Sequence, residues 1–204
     1  MFVWSWFRLM HGARARGAHF VPRSGPVIFA PNHQTYYDPP LVACFTSRLL
    51  TYFAKDYLFR VPVLKQLITA LGAFPVKPGS LRSSFETARR ILEHGGALVM
   101  FPEGTRTRDG RIGPLQDGVA RLALLTGAAI VPVSLFGGWE AWPRTRKVPR
   151  LCRPLRVIYH PPIFCERTED RAELRRGMAQ ITARLERLYH RAWRHRHLAL
   201  PDIE

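Results

Sequence analysis

The stretch "VIFAPNHQTYYDPP", residues 27–40, runs from an apolar segment through a polar turn to a helix start. Its first four residues form a continuous apolar run, which is typical of a parallel strand covered on both faces. A residue before proline avoids helical backbone angles, so Asp38 before Pro39 predicts that a loop ends where the next helix begins. Strand, loop and helix in this order form the first half of a βαβ unit.

The same alternation continues along the chain and predicts the fold class. Strands are predicted near 26–31, 51–55, 73–77, 97–101, 129–136 and 155–160, and helices at 39–50, 57–71, 83–94, about 115–126 and 169–195. Alternating strands and helices predict an α/β fold with a mostly parallel central sheet flanked by helices. A length of 204 residues without repeats or long linkers predicts a single domain, 1–204.

The predicted C-terminal helix, 169–195, is long and amphipathic. Its apolar residues recur at spacings of four and three and make one stripe: Leu174, Met178, Ile181, Leu185 and Leu188. The other faces are rich in arginine. These arginines are either a solvated surface or a contact for lipid headgroups or an acidic carrier protein.

The bulk composition limits the classes of partner. A formal net charge of +16 favours polyanions, which include nucleic acid, anionic lipid and phosphorylated small molecules. The three cysteines have no spacing that indicates a disulfide framework or a zinc site. The sequence also lacks the glycine-rich motifs that bind nucleotides.

Residues 1–20 are rich in aromatic and basic side chains. The apolar stretch is too short to span a bilayer, but aromatic residues beside arginines favour a membrane interface. A first helix that docks its aromatic residues on the core explains the pattern equally well, and the sequence leaves both interpretations open.

His33 and Asp38 are candidates for catalysis. Residues five apart do not share a helical face, but a turn can bring the carboxylate against the imidazole and orient it as in a catalytic triad. Asp38 is also well placed to do no more than cap the helix that follows. A metal pair is a further alternative, although it lacks a third ligand nearby.

A second candidate site is "FPEGTR", residues 101–106, after the predicted strand 97–101. Pro102 and Gly104 suit the second and fourth positions of a turn. Thr105, Arg106 and exposed backbone N–H groups can clamp a phosphate, with the carboxylate of Glu103 directed at a hydroxyl or at Arg106.

Parallel strands would bring these segments to one edge of the sheet, which is where open α/β folds bind ligands. Lys55 and Lys77 end two further predicted strands and would add cations to that edge. No serine or cysteine is spaced as a nucleophile, so the histidine would act directly on an acceptor.

These residues resemble a known family. "NHQTYYD" resembles the H-x₄-D box and "FPEGTR" the phosphate-binding box of the glycerolipid acyltransferases, typified by 1-acyl-glycerol-3-phosphate acyltransferase. "YLFRVPVLKQLITALGAFPVK", 57–77, resembles the segment between the boxes, and "IVPVSL", 130–135, a later strand. The similarity covers about 25–136 in the order and spacing of the family.

The resemblance implies acyl transfer from acyl-CoA or acyl carrier protein to a hydroxyl of a lysophospholipid. His33 would be the general base and Asp38 would hold it. The acceptor would be bound by Glu103, Gly104, Thr105 and Arg106, with Lys77 in place of a family arginine. It implies no metal or prosthetic group. The expected location is peripheral, on the cytoplasmic face of an anionic membrane surface.

One departure from the family pattern and two competing functions remain. "LQDG" places Gln116 and Asp117 where the family commonly carries a basic pair, so an amino-lipid or neutral lipid acceptor stays an alternative. A nucleic-acid-binding module would interleave aromatic and basic residues on one surface, and because no such motif is present we expect no nucleic-acid partner. A non-catalytic lipid binder would not need the His33–Asp38 pair.

Overall fold

The computed structural model describes residues 2–55, 59–60, 62–70, 72–76 and 81–196. Within these ranges one sheet has seven strands in the order β1-β7-β6-β2-β5-β3-β4. The strands are β1 (Arg14–Arg16), β2 (Val27–Pro31), β3 (Leu50–Lys55), β4 (Ala73–Val76), β5 (Ala97–Val99), β6 (Ala129–Phe136) and β7 (Arg156–Tyr159). All six predicted strands are confirmed, and the short β1 was not predicted.

The sheet is mostly parallel, as predicted. Strands β2, β3, β4, β5 and β6 all run in one direction, whereas β7 pairs antiparallel with β6 and carries β1 parallel to itself at the edge. Every residue of β2 and β6 is buried, which explains why their sequences are apolar except for Ser134, whose hydroxyl pairs with His160. The prediction of a single α/β domain with a mostly parallel sheet therefore describes this fold.

Seven helices surround the sheet in the described ranges. They are α1 (Phe2–His11), α2 (Asp38–Ala43), α3 (Pro62–Ala70), α4 (Leu81–Glu93), α5 (Gly118–Thr126), α6 (Gly138–Ala141) and α7 (Arg171–Arg194). A short 3₁₀ turn covers Ala18–Phe20. Helices α1 and α2 contribute to the core on one face of the sheet, and α4, α5 and α7 to the core on the other. None of these helices is both long and apolar enough to cross a bilayer.

The predicted helix 39–50 is wrong in its second half, because α2 ends at Ala43 and β3 begins at Leu50. The Thr46 hydroxyl accepts a hydrogen bond from the Arg48 N–H, a local bond that competes with helical pairing. The Arg48 guanidinium donates to the carbonyls of Pro22, Gly25 and Gly95. Arg48 thus links its own turn to the segments that precede β2 and β5, and it does not extend a helix.

Helix α7 confirms the long amphipathic helix predicted at 169–195. The Asp170 carboxylate accepts from the N–H groups of Ala172 and Glu173, which caps the helix start. The predicted apolar stripe packs into the core beneath α5 and β6. Tyr189 joins the stripe, is fully buried, and donates a hydrogen bond to the Ala30 carbonyl in β2.

Helix α1 docks on the core and also leaves several apolar side chains exposed. Phe7 is buried and packs edge-on against Trp6 and Tyr37. Trp4, Leu9 and Met10 remain exposed. Both sequence interpretations of residues 1–20 therefore remain: docking on the core describes Phe7, and the exposed side chains remain available to an interface.

Candidate active site

His33 and Asp38 are in direct contact at the end of β2. The loop 32–37, which we call the histidine loop, joins β2 to α2, and His33 Nδ1 lies 2.7 Å from Asp38 Oδ2. The Asp38 side chain is only 1% exposed and that of His33 is 18% exposed. Because a carboxylate only accepts, we assign the proton to Nδ1. The Nε2 atom then carries the lone pair and has no protein partner among the described residues.

Asp38 organises the whole histidine loop and does not cap α2. Its Oδ2 also accepts from the backbone N–H groups of Gln34, at 2.6 Å, and Thr35, at 2.8 Å. Tyr37 is the cap residue, and Asp38 is the first residue of the helix. The capping alternative is wrong because Pro39 and Pro40 have no N–H to donate, while the Leu41 N–H bonds to the Tyr37 carbonyl.

The second predicted segment lies beside the first. Strands β2 and β5 pair directly and in parallel, so the loops that follow them leave from the same edge of the sheet. The His33 ring stacks on Phe101, with ring centroids 3.8 Å apart and an interplanar angle of 22°. The Thr107 N–H also donates to the His33 carbonyl, at 2.8 Å. The tertiary fold thus joins the two boxes into one site.

Glu103 is a structural link between three loops. Its Oε1 accepts from the His33 N–H at 2.7 Å, and its Oε2 accepts from the Gly113 N–H at 2.9 Å. Burial raises the pKa of this carboxyl above its ordinary value, and the two N–H donors oppose that rise. Each oxygen keeps a further lone pair, so a contact with an acceptor hydroxyl stays a prediction. Among the described residues, the carboxylate has backbone N–H partners and no ion pair with Arg106.

The turn after Phe101 presents the remaining predicted residues. The Gly104 N–H donates to the Phe101 carbonyl at 3.0 Å, which closes the predicted turn, and Gly104 has a φ of +68°, where a side chain would be strained. Thr105 is exposed. The Arg106 guanidinium carbon lies 3.7 Å from the centre of the Tyr36 ring in the histidine loop.

The structure describes only the backbone of one of the two predicted lysines, Lys55 and Lys77. Lys55 ends β3, the neighbour of β5, so its backbone reaches the same edge of the sheet, but its side chain lies outside the described residues. Lys77 also lies outside them, and both roles remain predictions. Across the described ranges, no group of three or more His, Cys, Asp or Glu side chains is arranged to hold a metal ion.

Comparison with known proteins agrees with this geometry. The sequence model of a family described as Acyltransferase matches residues 13–136, more than half of the chain. The chain belongs to this acyltransferase family.

Individual relatives extend the finding. The chain is 30% identical over 153 residues to the chloroplastic 1-acyl-sn-glycerol-3-phosphate acyltransferase BAT2 of Brassica napus, covering 73% of this chain and 44% of that protein. It is 35% identical over 144 residues to the 1-acyl-sn-glycerol-3-phosphate acyltransferase of Limnanthes douglasii, covering 67% and 50%. The chain thus spans about half the length of the curated relatives it matches.

A solved structure shares the acyltransferase fold. The crystal structure of the 1-acyl-sn-glycerophosphate acyltransferase PlsC from Thermotoga maritima matches with a TM-score of 0.70 and 26% identity, over 91% of this chain and 74% of that one.

Two side-chain amides that sequence reasoning missed hold the histidine loop in place. The Asn32 side chain donates to the Leu135 carbonyl at 3.1 Å and accepts from the Leu135 N–H at 2.7 Å, so it extends the β2–β6 pairing. Gln34 Oε1 accepts from the Gly138 N–H at 3.1 Å. A Cβ at Gly138 would lie 2.6 Å from Thr35 Cγ2, so this close approach requires glycine. No local spacing signals contacts across more than 100 residues.

Asp117 stands where the resemblance implies a basic residue, and it has a structural role. Its Oδ1 accepts a hydrogen bond from the Thr182 hydroxyl at 3.2 Å, which links the start of α5 to α7. The Gln116 N–H donates to the Pro102 carbonyl at 2.7 Å. Gln116 and Asp117 therefore hold the turn after Phe101 and the start of α5 in place.

Proposed function

We propose that this protein transfers a fatty acyl group from a thioester donor to the hydroxyl of 1-acyl-glycerol-3-phosphate. The observation that carries the proposal is the contact of 2.7 Å between His33 Nδ1 and the buried Asp38 carboxylate. It leaves Nε2 as a base at the sheet edge where Arg106 also lies. The proposed donor is acyl-CoA or acyl carrier protein, with no metal or prosthetic group.

The proposed step moves one proton and exchanges one bond. His33 Nε2 takes the proton of the acceptor hydroxyl as its oxygen attacks the thioester carbonyl carbon. The tetrahedral intermediate then collapses, the C–S bond breaks, and the imidazolium returns the proton to the leaving thiolate. Asp38 stabilises the positive charge that His33 acquires. General base assistance of this kind contributes on the order of 10²–10⁴ in rate.

Arg106 is proposed to bind the phosphate of the acceptor. Stacking on Tyr36 occupies a face of the guanidinium and leaves N–H groups at its edge, which can pair with phosphate oxygens. A second candidate acceptor is an amino-lipid or neutral lipid hydroxyl. The observation that favours it is the pair Gln116–Asp117, which supplies no cation behind the second box.

The proposed location is peripheral, on the cytoplasmic face of an anionic membrane. The Cys152 N–H donates to the Met10 carbonyl at 2.9 Å, which places the basic loop 142–154 beside the C-terminus of α1. Both segments carry exposed apolar residues, which are Leu9, Met10, Val148 and Leu151. Apolar side chains among arginines suit an interface between lipid headgroups and water.

A panel of lysolipid acceptors with labelled acyl-CoA and with acyl carrier protein, read by mass spectrometry of the lipid product, tests the function. We expect phosphatidic acid from 1-acyl-glycerol-3-phosphate. Product only from an amino-lipid or neutral acceptor would select the second candidate, and thioester binding without any lipid product would refute catalysis.

The roles of His33 and Arg106 need separate variants. His33→Ala is expected to abolish transfer, whereas His94→Ala, an exposed histidine at the end of α4, is the matched control. Near-full turnover by His33→Ala would rule out the general base.

Arg106→Ala is expected to raise the acceptor KM, with exposed Arg108→Ala as its control. A change in the donor KM alone would reassign the box to the donor.

A further inference from the structure

Helix α7 carries a row of arginines that the proposed chemistry does not use. Arg184, Arg187, Arg191 and Arg194 follow each other at spacings of three, four and three, so they share one face, and all four are exposed. We call this row the arginine stripe. In the part of the chain that the structure describes, none of the four guanidinium groups has a hydrogen bond or an ion pair.

The stripe lies at the same edge of the sheet as the active site. Tyr189, on the opposite face of α7, donates to the Ala30 carbonyl, three residues before His33. The Trp193 ring lies 6.1 Å from that of Phe136, the last residue of β6. The C-terminal half of α7 therefore reaches the edge of the sheet where the histidine loop begins.

The stripe faces away from the surface that we propose for the membrane. Helix α1 packs on one face of the sheet and α7 on the other. No large exposed hydrophobic residue of the described chain lies on α7, whereas Trp4, Leu9 and Met10 lie on α1. When α1 contacts the bilayer, the arginine stripe points into water, where a soluble partner can reach it.

The length of the arginine stripe indicates which kind of soluble anion can pair with all of it. Ten residues of helix span about 15 Å, with a positive charge about every 5 Å. A pyrophosphate group covers only part of such a row. Carboxylates on one face of an acidic helix repeat with the same rise per residue and can pair with all four arginines. The charge pattern is therefore complementary to an acidic helix more than to a nucleotide.

We propose that the arginine stripe is the docking surface for an acidic carrier protein that presents the acyl thioester through an acidic helix. This inference rests on the proposed function and decides between its two donors. The net charge of +16 draws an acidic carrier to the enzyme, and the stripe orients the carrier beside the edge where His33 lies. The lipid acceptor arrives from the α1 side.

Two variants with the same loss of charge test the proposal. The first is Arg187→Gln/Arg191→Gln/Arg194→Gln, and the control is Arg171→Gln/Arg175→Gln/Arg176→Gln at the other end of the same helix. We expect the first variant to raise the KM for palmitoyl-acyl carrier protein about tenfold at low salt, with kcat unchanged. The KM for palmitoyl-CoA and for the acceptor should stay within about twofold in both variants.

Several outcomes would overturn the docking surface. If both variants raise the KM for palmitoyl-acyl carrier protein equally, the stripe contributes only to the net charge. If the first variant raises the KM for palmitoyl-CoA as much as that for the carrier thioester, the stripe binds the nucleotide of CoA instead. Reduced sedimentation of the first variant with phosphatidylglycerol vesicles would assign it to the membrane. If the wild-type enzyme uses palmitoyl-CoA but not the carrier thioester, the inference fails and the proposed function stands. Turnover of neither donor refutes the function itself.

Discussion

Replacement of Glu103 by glutamine tests how the two boxes are joined. The glutamate oxygens each accept one partly buried backbone N–H, from His33 at 2.7 Å and from Gly113 at 2.9 Å. Glutamine has the same shape but only one acceptor oxygen. Its amide nitrogen would face the second N–H as donor against donor, so one of the two loops must lose its partner.

The expected cost follows from that lost partner. A buried donor left without an acceptor costs about 1–3 kcal/mol, so Glu103→Gln should lower the free energy of unfolding by about that amount. The histidine loop would also shift, and a displacement of His33, the proposed general base, should lower kcat by roughly 10- to 100-fold. Glu140→Gln, an exposed glutamate on α6, should change the free energy of unfolding by less than about 0.5 kcal/mol.

The pH dependence has a defined sign. Burial raises the pKa of Glu103 in the folded state, so the folded protein binds more protons than the unfolded chain above the ordinary carboxyl pKa. The stabilising contribution is complete below the unfolded pKa and is lost as pH rises through the folded pKa. Glutamine does not titrate, so the advantage of the wild type over Glu103→Gln should be largest at low pH and decrease toward neutrality.

Urea denaturation from pH 4 to pH 8, followed by tryptophan fluorescence, measures this difference, and steady-state acyl transfer measures kcat. The reasoning is refuted if Glu103→Gln unfolds like the wild type at every pH and retains its kcat. A loss of kcat without a loss of stability would instead indicate that the carboxylate acts on the substrate.

Three further predictions concern single side chains. Asp38→Asn keeps an acceptor oxygen but removes the charge, so kcat should fall roughly 10²–10⁴-fold while circular dichroism stays native; an unchanged kcat would contradict the orienting role. Tyr36→Ala removes the ring under Arg106 and should raise the acceptor KM about fivefold, whereas Tyr36→Phe should not, and equal KM values for both would exclude the stacking effect. Burial lowers the pKa of His160 to about 4, so stability should fall as pH drops from about 6.5 toward 4, by up to about 3 kcal/mol. His160→Gln, which keeps a partner for the Ser134 hydroxyl, should flatten that slope in urea melts, and an unchanged slope would place the titration elsewhere.

Much of the fold was determined by the sequence alone. Strands β2 and β6 were predicted because strands buried on both faces need mostly apolar runs, and α7 because its stripe repeats with the helical period. The contact between His33 and Asp38 was also predictable, since a five-residue turn limits where the two side chains can meet. In each case the deciding interaction lies within a few residues of chain.

Only the tertiary structure decided how the site is held together. The fold brings these hydrogen-bond partners together from distant parts of the chain. The pairs are Asn32 with Leu135, Gln34 with Gly138, and Glu103 with His33 and Gly113. The same holds for the short strand β1, which is stabilised at the sheet edge by pairing with β7, 142 residues further along. Periodicity and turn chemistry record local preferences, whereas a hydrogen bond between distant loops depends on which strands become neighbours. The sequence therefore determined most of the elements and the contact between His33 and Asp38, and the packing of the sheet decided which backbone groups keep that pair in position.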